Sequence, residues 1–171
     1  MAGTKTKYLV FGISEERYGI PVTKVREVIR HERITPVHEA SEFLKGVINL
    51  RGKIIPIIDM RAKFGMTELD YTDRTVFIIV DVLGSKEPFQ FGIAVDAVHE
   101  VVDLDEGDHE TLPDMGFRLR SSYLLSIAKV GTQMLMLLDI DKILQTQEVV
   151  DLQGLGSELG DQGRQPARDA V

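Results

Sequence analysis

The chain contains no cysteine among its 171 residues. Disulfides, thiolate zinc sites, iron–sulfur clusters and cysteine nucleophiles are therefore excluded together. It also lacks any apolar run long enough to span a bilayer. Met1–Lys7 leads directly into strand-like residues with no apolar leader core, so a soluble cytoplasmic protein is expected. Basic residues are outnumbered, 20 Lys and Arg against 27 Asp and Glu, for a net charge of −7. That balance argues against nucleic acid as the main partner, because neutralising phosphates calls for a basic face.

Catalytic constellations are missing as well. His31, His38, His99 and His109 are scattered without metal-ligand spacing, and there is no G-x-S-x-G elbow or phosphate loop. Asp103–Asp108 superficially resembles a calcium loop but lacks its glycine position and flanking helix. No nucleophile, base and oxyanion donor assemble, so neither an enzyme nor a metal or other cofactor is expected. What remains is a globular composition, 43% hydrophobic and 27% charged, sized for one domain or two small ones packed together.

The sequence repeats itself. Gly19–Ile29 matches Gly92–Val102 as G-I-x-V-x-x-V-x-E-V-[IV], an offset of 73 residues. Phe43–Phe64 aligns without gaps on Tyr123–Leu144, an offset of 80. The longer connection in the second copy holds an acidic stretch from Glu100 to Asp114 with no Lys or Arg, which reads as a solvated loop. Each copy shows about five short strands broken by turn residues. Arg51-Gly52 and Gly131-Thr132 occupy equivalent hairpin turns, where glycine supplies a positive φ. Pro56 cannot donate to a ladder and predicts an edge or a bulge. Val22, Val25 and Val28 fit one helical turn, so the segment after Gly19 is expected to start helical and finish extended. Asp139 and Asp141 are capping residues for a C-terminal helix carrying Ile143, Leu144 and Val150. Five twisted strands close economically as a small barrel, and two such barrels packed together make up for each other's thin core.

Phe43-Leu44-Lys45-Gly46-Val47-Ile48-Asn49-Leu50-Arg51-Gly52, followed by an apolar strand and Asp59, resembles the signature of the CheW family of bacterial chemotaxis coupling proteins. Tyr18-Gly19-Ile20, Val25-Arg26-Glu27-Val28, Gly92–Asp96 and Leu138–Lys142 follow in the same order, so the resemblance covers about residues 8–150. It implies a mainly β fold of two intertwined five-stranded SH3-like barrels. By this reading the first barrel spans about 14–68 and the second about 74–140. A helix at about 140–150 packs back, and 1–7 and 153–171 are flexible termini. Ser126 departs from the pattern, standing where Gly46 stands in the first repeat.

The resemblance further implies an adaptor joining chemoreceptor cytoplasmic tips to the C-terminal CheW-like domain of the histidine kinase CheA, and reaching the membrane only through receptors. Carried over residue by residue, it implies receptor contacts at Val25, Glu27, Gly46, Arg51, Val76, Gly92 and Val101. A kinase-facing set would be Ile34, Lys45 and Ile54. The valines could equally be core, and the glycines backbone devices. Arg51 stands out because its repeat partner is Gly131, so the turn does not need arginine to form. A small-molecule sensor using the groove between the barrels is the second reading, and it requires a closed pocket with convergent polar groups. An unrecognised hydrolase, requiring a perturbed acid–base pair in a cleft, is the third.

Overall fold

The computed structural model describes residues 5–37, 43–67, 70–83, 88–110 and 123–143. In chain order these form β1 (Thr6–Ile13), β2 (Glu16–Pro21), β3 (Val25–Arg30), β4 (Leu44–Leu50) and β5 (Lys53–Asp59), then the short helix α1 (Met60–Lys63). The second half supplies β6 (Val76–Leu83), β7 (Pro88–Val95), β8 (Ala97–Leu104), β9 (His109–Glu110), β10 (Leu124–Val130), β11 (Gln133–Leu138) and α2 (Ile140–Ile143). A 3-10 turn at Val22–Lys24 precedes β3, which is the helical-then-extended behaviour expected after Gly19. The continuation of α2 to about 150, Leu144, Val150, residues 1–4 and the tail 153–171 lie outside the described residues.

The strands form two sheets, ordered β3-β6-β7-β5-β4 and β8-β1-β2-β11-β10-β9. The barrels are therefore not contiguous in sequence, and the boundaries 14–68 and 74–140 need correction. Each repeat lends its first hairpin to the other barrel: β6–β7 sits among β3, β4 and β5, while β1–β2 sits among β8, β10 and β11. The register makes the exchange symmetric. Val10 faces Gly19 as Ile79 faces Gly92, and Leu9 faces Val101 as Ile78 faces Val28.

The second sheet has six strands rather than five because of β9, whose Glu110 faces Ile127. Its counterpart in the first barrel is a single bridge, in which Thr35 exchanges both backbone hydrogen bonds with Val47 at 2.8 and 2.9 Å. Both features come from the segment that follows the edge strand β3 or β8. Each returns to pair with the opposite edge and so joins the two sides of its sheet. Residues 1–7 were expected to be loose, yet Thr6 and Lys7 belong to β1 and face Leu104 and Asp103. The ladder to β8 provides the hydrogen bonds that order them.

Three apolar clusters follow from this arrangement. One fills each barrel: Ile48, Ile55, Ile57, Phe77, Ile79 and Ala94 in the first, and Tyr8, Val10, Leu104, Ala128, Leu135 and Leu137 in the second. The third and largest lies between the barrels and includes Phe11, Tyr18 and Ile20 from one, Ile58, Phe91 and Ile93 from the other, and Met60 and Ile140 from the helices. Within it Phe11, Tyr18, Phe64 and Tyr123 stack in a row at centroid spacings of 5.8, 5.3 and 5.7 Å. Stacks of large rings contribute both area and geometric preference to such a seam.

Pro56 lies on β5, an interior strand and not an edge. Val47 faces it but directs its own N–H and C=O to Thr35, and pairing of β5 with β7 begins only at Ile57. The missing N–H therefore leaves no gap in either ladder. Asp59 and Asp139 cap α1 and α2 in the same way, accepting from Arg61 N at 2.8 Å and Asp141 N at 3.1 Å. Asp141 is not itself a cap; its carboxylate accepts from Leu83 N instead.

Candidate functional site

Glu27 and Arg51 form the most distinctive polar feature of the first barrel. Glu27 is on the edge strand β3; Arg51 is in the turn that joins β4 to β5, near the opposite edge of the same sheet. The two side chains make a two-pronged ion pair across the space between them, one prong measuring 3.3 Å. Arg51 is largely exposed, and its bond to Glu27 raises its already high pKa further. Its backbone has φ +51 and that of Gly52 φ +87, so both turn residues are left-handed, as a type I′ turn demands. Arginine there carries a strain that glycine avoids, and Gly131 at the equivalent turn does avoid it. Asn49 Oδ1 accepts from Gly52 N at 2.8 Å and holds the turn from inside.

The other residues assigned to receptor contact separate into two groups. Val25 and Val76 are partly buried, packed on the cluster between the barrels, and lie towards opposite ends of the β3–β6 ladder, facing Val80 and Arg30. Val101 is half-exposed on the edge strand β8 of the other barrel, and its repeat counterpart Val28 is exposed on β3. Val28 and Val101 are available apolar surface, and Val25 and Val76 are available only in part.

The two glycines are not. Gly46 has φ +150 at a bulge in β4, and a Cβ there would collide with Thr35 O and come within 2.6 Å of Ile34 Cγ2. The close approach it permits is that of its own chain at the barrel-closing bridge. Gly92 is buried, and a Cβ would meet Ile57 Cδ1 at 2.6 Å and Ile79 Cδ1 at 3.0 Å. Gly19 stands in the same relation to Leu137 in the second barrel. Gly92 is thus part of the barrel packing, with no face to offer a receptor.

Ser126 shows how the second barrel manages without Gly46. It sits at the matching bulge in β10 but keeps an ordinary negative φ, and its Oγ lies 2.7 Å from His109 Nδ1. His109 thereby fills the place that Ile34 occupies beside Gly46.

Of the kinase-facing set, Ile54 is partly buried on β5 opposite Asn49, and Ile34 packs partly onto the first barrel's core. Lys45 is less available. Its ammonium lies 3.7 Å from the buried Asp59 carboxylate and 5.8 Å from the centre of the Tyr71 ring, while Tyr71 donates to Asp59 at 3.1 Å. Sequence reasoning missed Leu125 and Met134, both at least half exposed on β10 and β11. Met134 is the repeat equivalent of Ile54 and Leu125 of Lys45, so the alignment held a usable signal. Met134, Met136, Ile127 and Glu15–Arg17 line an open concavity of about 370 Å³.

The acidic stretch is partly tied down. Asp103 and Glu110 pair with Lys7 and Lys129 from neighbouring strands at 3.1 and 2.9 Å, and Glu100 reaches Arg17, two strands away on β2, at 3.9 Å. Asp105 and Asp108 cap a 3-10 turn reciprocally, turning their carboxylates onto backbone N–H groups. Among the described residues no group of His, Cys, Asp and Glu is placed to hold a metal ion, and no helix is long and apolar enough to cross a membrane.

Fold and surface together define a paired SH3-like β-barrel domain whose notable features are exposed strand edges and a hairpin ion pair. The CheW-like domain family matches residues 7–148, and the chain belongs to that family. Chemotaxis protein CheW of Klebsiella aerogenes is 36% identical over 143 residues, covering 84% of each chain. Chemotaxis protein CheW of Treponema pallidum is 30% identical over 151 residues, covering 86% of each. A crystal structure of the scaffolding protein TtCheW from Thermoanaerobacter tengcongensis superposes with a TM-score of 0.74 at 34% identity, covering 85% of this chain and 96% of that one.

Proposed function

We propose that this chain is a non-catalytic cytoplasmic adaptor that couples the cytoplasmic tips of chemoreceptors to the histidine kinase CheA, meeting the membrane only through the receptors. The observation that carries the reading is the Glu27–Arg51 pair, a strained arginine held at an exposed turn that glycine would build with less cost. A guanidinium fixed by one carboxylate still offers donors to a partner's carbonyls or carboxylates. Val25, Val28 and Val76 supply apolar surface on the same barrel, and Val101 on the other. Ile54 and Ile34 are the proposed kinase-facing residues.

The sensor reading has less support, because the seam between the barrels is filled by the Phe11–Tyr18–Phe64–Tyr123 stack. The test is reconstitution of receptor, CheA and this chain, with kinase activity read with and without receptor. Wild-type protein is expected to couple them and Arg51→Ala to bind CheA but couple poorly. Absence of any coupling by folded wild-type protein overturns the proposal.

A further inference from the structure

We propose that Lys24, Arg61, Asp96 and Asp141 are positioning residues, forming two ion-pair clamps that fix the angle between the barrels. The inference stands independently of the adaptor reading. The chain crosses between barrels at Val22–Lys24, joining β2 to β3, and at Asp96, joining β7 to β8. A clamp sits at each crossing.

At the second crossing, Asp96 Oδ2 accepts from Ser14 N at 2.7 Å, at the end of β1 in the second barrel. The same carboxylate receives Arg61 of α1, which follows β5 of the first barrel, at 2.5 Å from Nη2 and 3.3 Å from Nε. At the first crossing, Asp141 of α2 accepts from Leu83 N at 3.1 Å, at the end of β6, and its other oxygen lies 2.7 Å from Lys24 Nζ. Ser14 and Leu83 are equivalent: each lies four residues beyond the residue that faces Gly19 or Gly92. Arg61 and Asp141 are equivalent too, at the offset of 80 residues.

The polarity is reversed. In one clamp the acid is on the crossing and the base on the helix; in the other the base is on the crossing and the acid on the helix. What both preserve is a carboxylate on the same amide, neutralised by a cation that ties a third element to it. Arg61 is 14% exposed, Lys24 and Asp141 are 29% and 28% exposed, and Asp96 is 40% exposed, so each pair is screened in part, with at least one partner withdrawn from solvent. Ser14 also has φ +59, a conformation that a bond to its N–H helps to hold. Apolar burial in the seam resists separation of the barrels but is itself non-directional, and the ring stack orients only its own four residues. Hydrogen-bonded ion pairs at both crossings add direction where the chain passes between the barrels.

The absence of native cysteine allows paired spin labels at Lys53→Cys and Gln133→Cys, one exposed site on each barrel. In the full chain pulsed dipolar spectroscopy is expected to give one narrow distance. Lys24→Ala with Arg61→Ala is expected to lose it to a broadened or shifted distribution, and Arg61→Lys to retain it. An unchanged distribution in a cooperatively folded double variant overturns the proposal. Should that variant not fold, amide exchange in the wild-type chain decides. Ser14 and Leu83 are expected to exchange at least about tenfold more slowly than free amides, and unprotected exchange at both overturns it.

Discussion

Glu27 and Arg51 stand 24 residues apart in sequence, yet their ion pair joins the edge strand β3 to the β4–β5 turn across the first barrel. Among the described residues the second barrel has no equivalent. There Glu100, the counterpart of Glu27, pairs with Arg17 at 3.9 Å, and the counterpart of Arg51 is glycine. The two halves share a backbone and differ in what they show at this end.

Arg51→Gly separates backbone from side chain at this position. Because residue 51 has φ +51, glycine relieves strain while removing the guanidinium, so the melting temperature is expected to stay within about 4 °C of wild type. Arg51→Ala keeps the strain and is expected to melt no higher than Arg51→Gly. Both are expected to lose receptor-dependent control of CheA alike. Full control in the glycine variant removes the side chain from the receptor site.

Gly46→Ala and Gly92→Ala are expected to fail for internal reasons and to different degrees. At Gly46 the clash is with the Thr35 carbonyl and φ is +150, so a loss of about 3 kcal/mol is expected in urea titrations. At Gly92 the obstacles are the ends of Ile57 and Ile79, which can rotate, and about 1–2 kcal/mol is expected. Full stability of Gly46→Ala contradicts the bridge geometry.

Lys45 and Ile54 are unequal probes of the kinase face. Lys45→Ala leaves the buried Asp59 carboxylate without its nearby ammonium and is expected to cost about 1–2 kcal/mol. Ile54→Thr keeps a β-branched strand residue and is expected to cost no more than about 1 kcal/mol. Calorimetry with the CheA C-terminal domain is expected to show the larger specific loss for Ile54→Thr once stability is matched.

Tyr18 sets an alkaline limit. Burial first, and then its hydrogen bond to Glu16, hold its hydroxyl pKa far above the usual tyrosine range. A pKa raised in the folded state favours the protonated fold. Its stabilising contribution is full below the unfolded tyrosine pKa of about 10 and falls as pH rises beyond that. Absorbance at 295 nm is expected to show Tyr18 ionising only together with unfolding, and Tyr18→Phe is expected to flatten the loss above pH 10. Reversible ionisation of Tyr18 in the native state near its ordinary pKa contradicts the burial.

The sequence by itself determined the local features. Cysteine-free chemistry, the repeat and its offsets, glycine at the positive-φ turns, the 3-10 segment after Gly19 and the Asp139 cap all rest on interactions within a few residues. Tertiary structure alone decided which barrel each hairpin enters. The β1–β2 and β6–β7 hairpins carry the same alternation and would satisfy it in either sheet, so the choice rests on pairing between strands distant in sequence, such as Ile57 with Gly92 and Leu135 with Arg17. For the same reason Gly92 could be read as surface when its missing Cβ makes room for Ile57, and Asp141 as a cap when its partners are Leu83 and Lys24. Periodicity reports which face of a strand is apolar. It carries no information about which distant strand will cover that face.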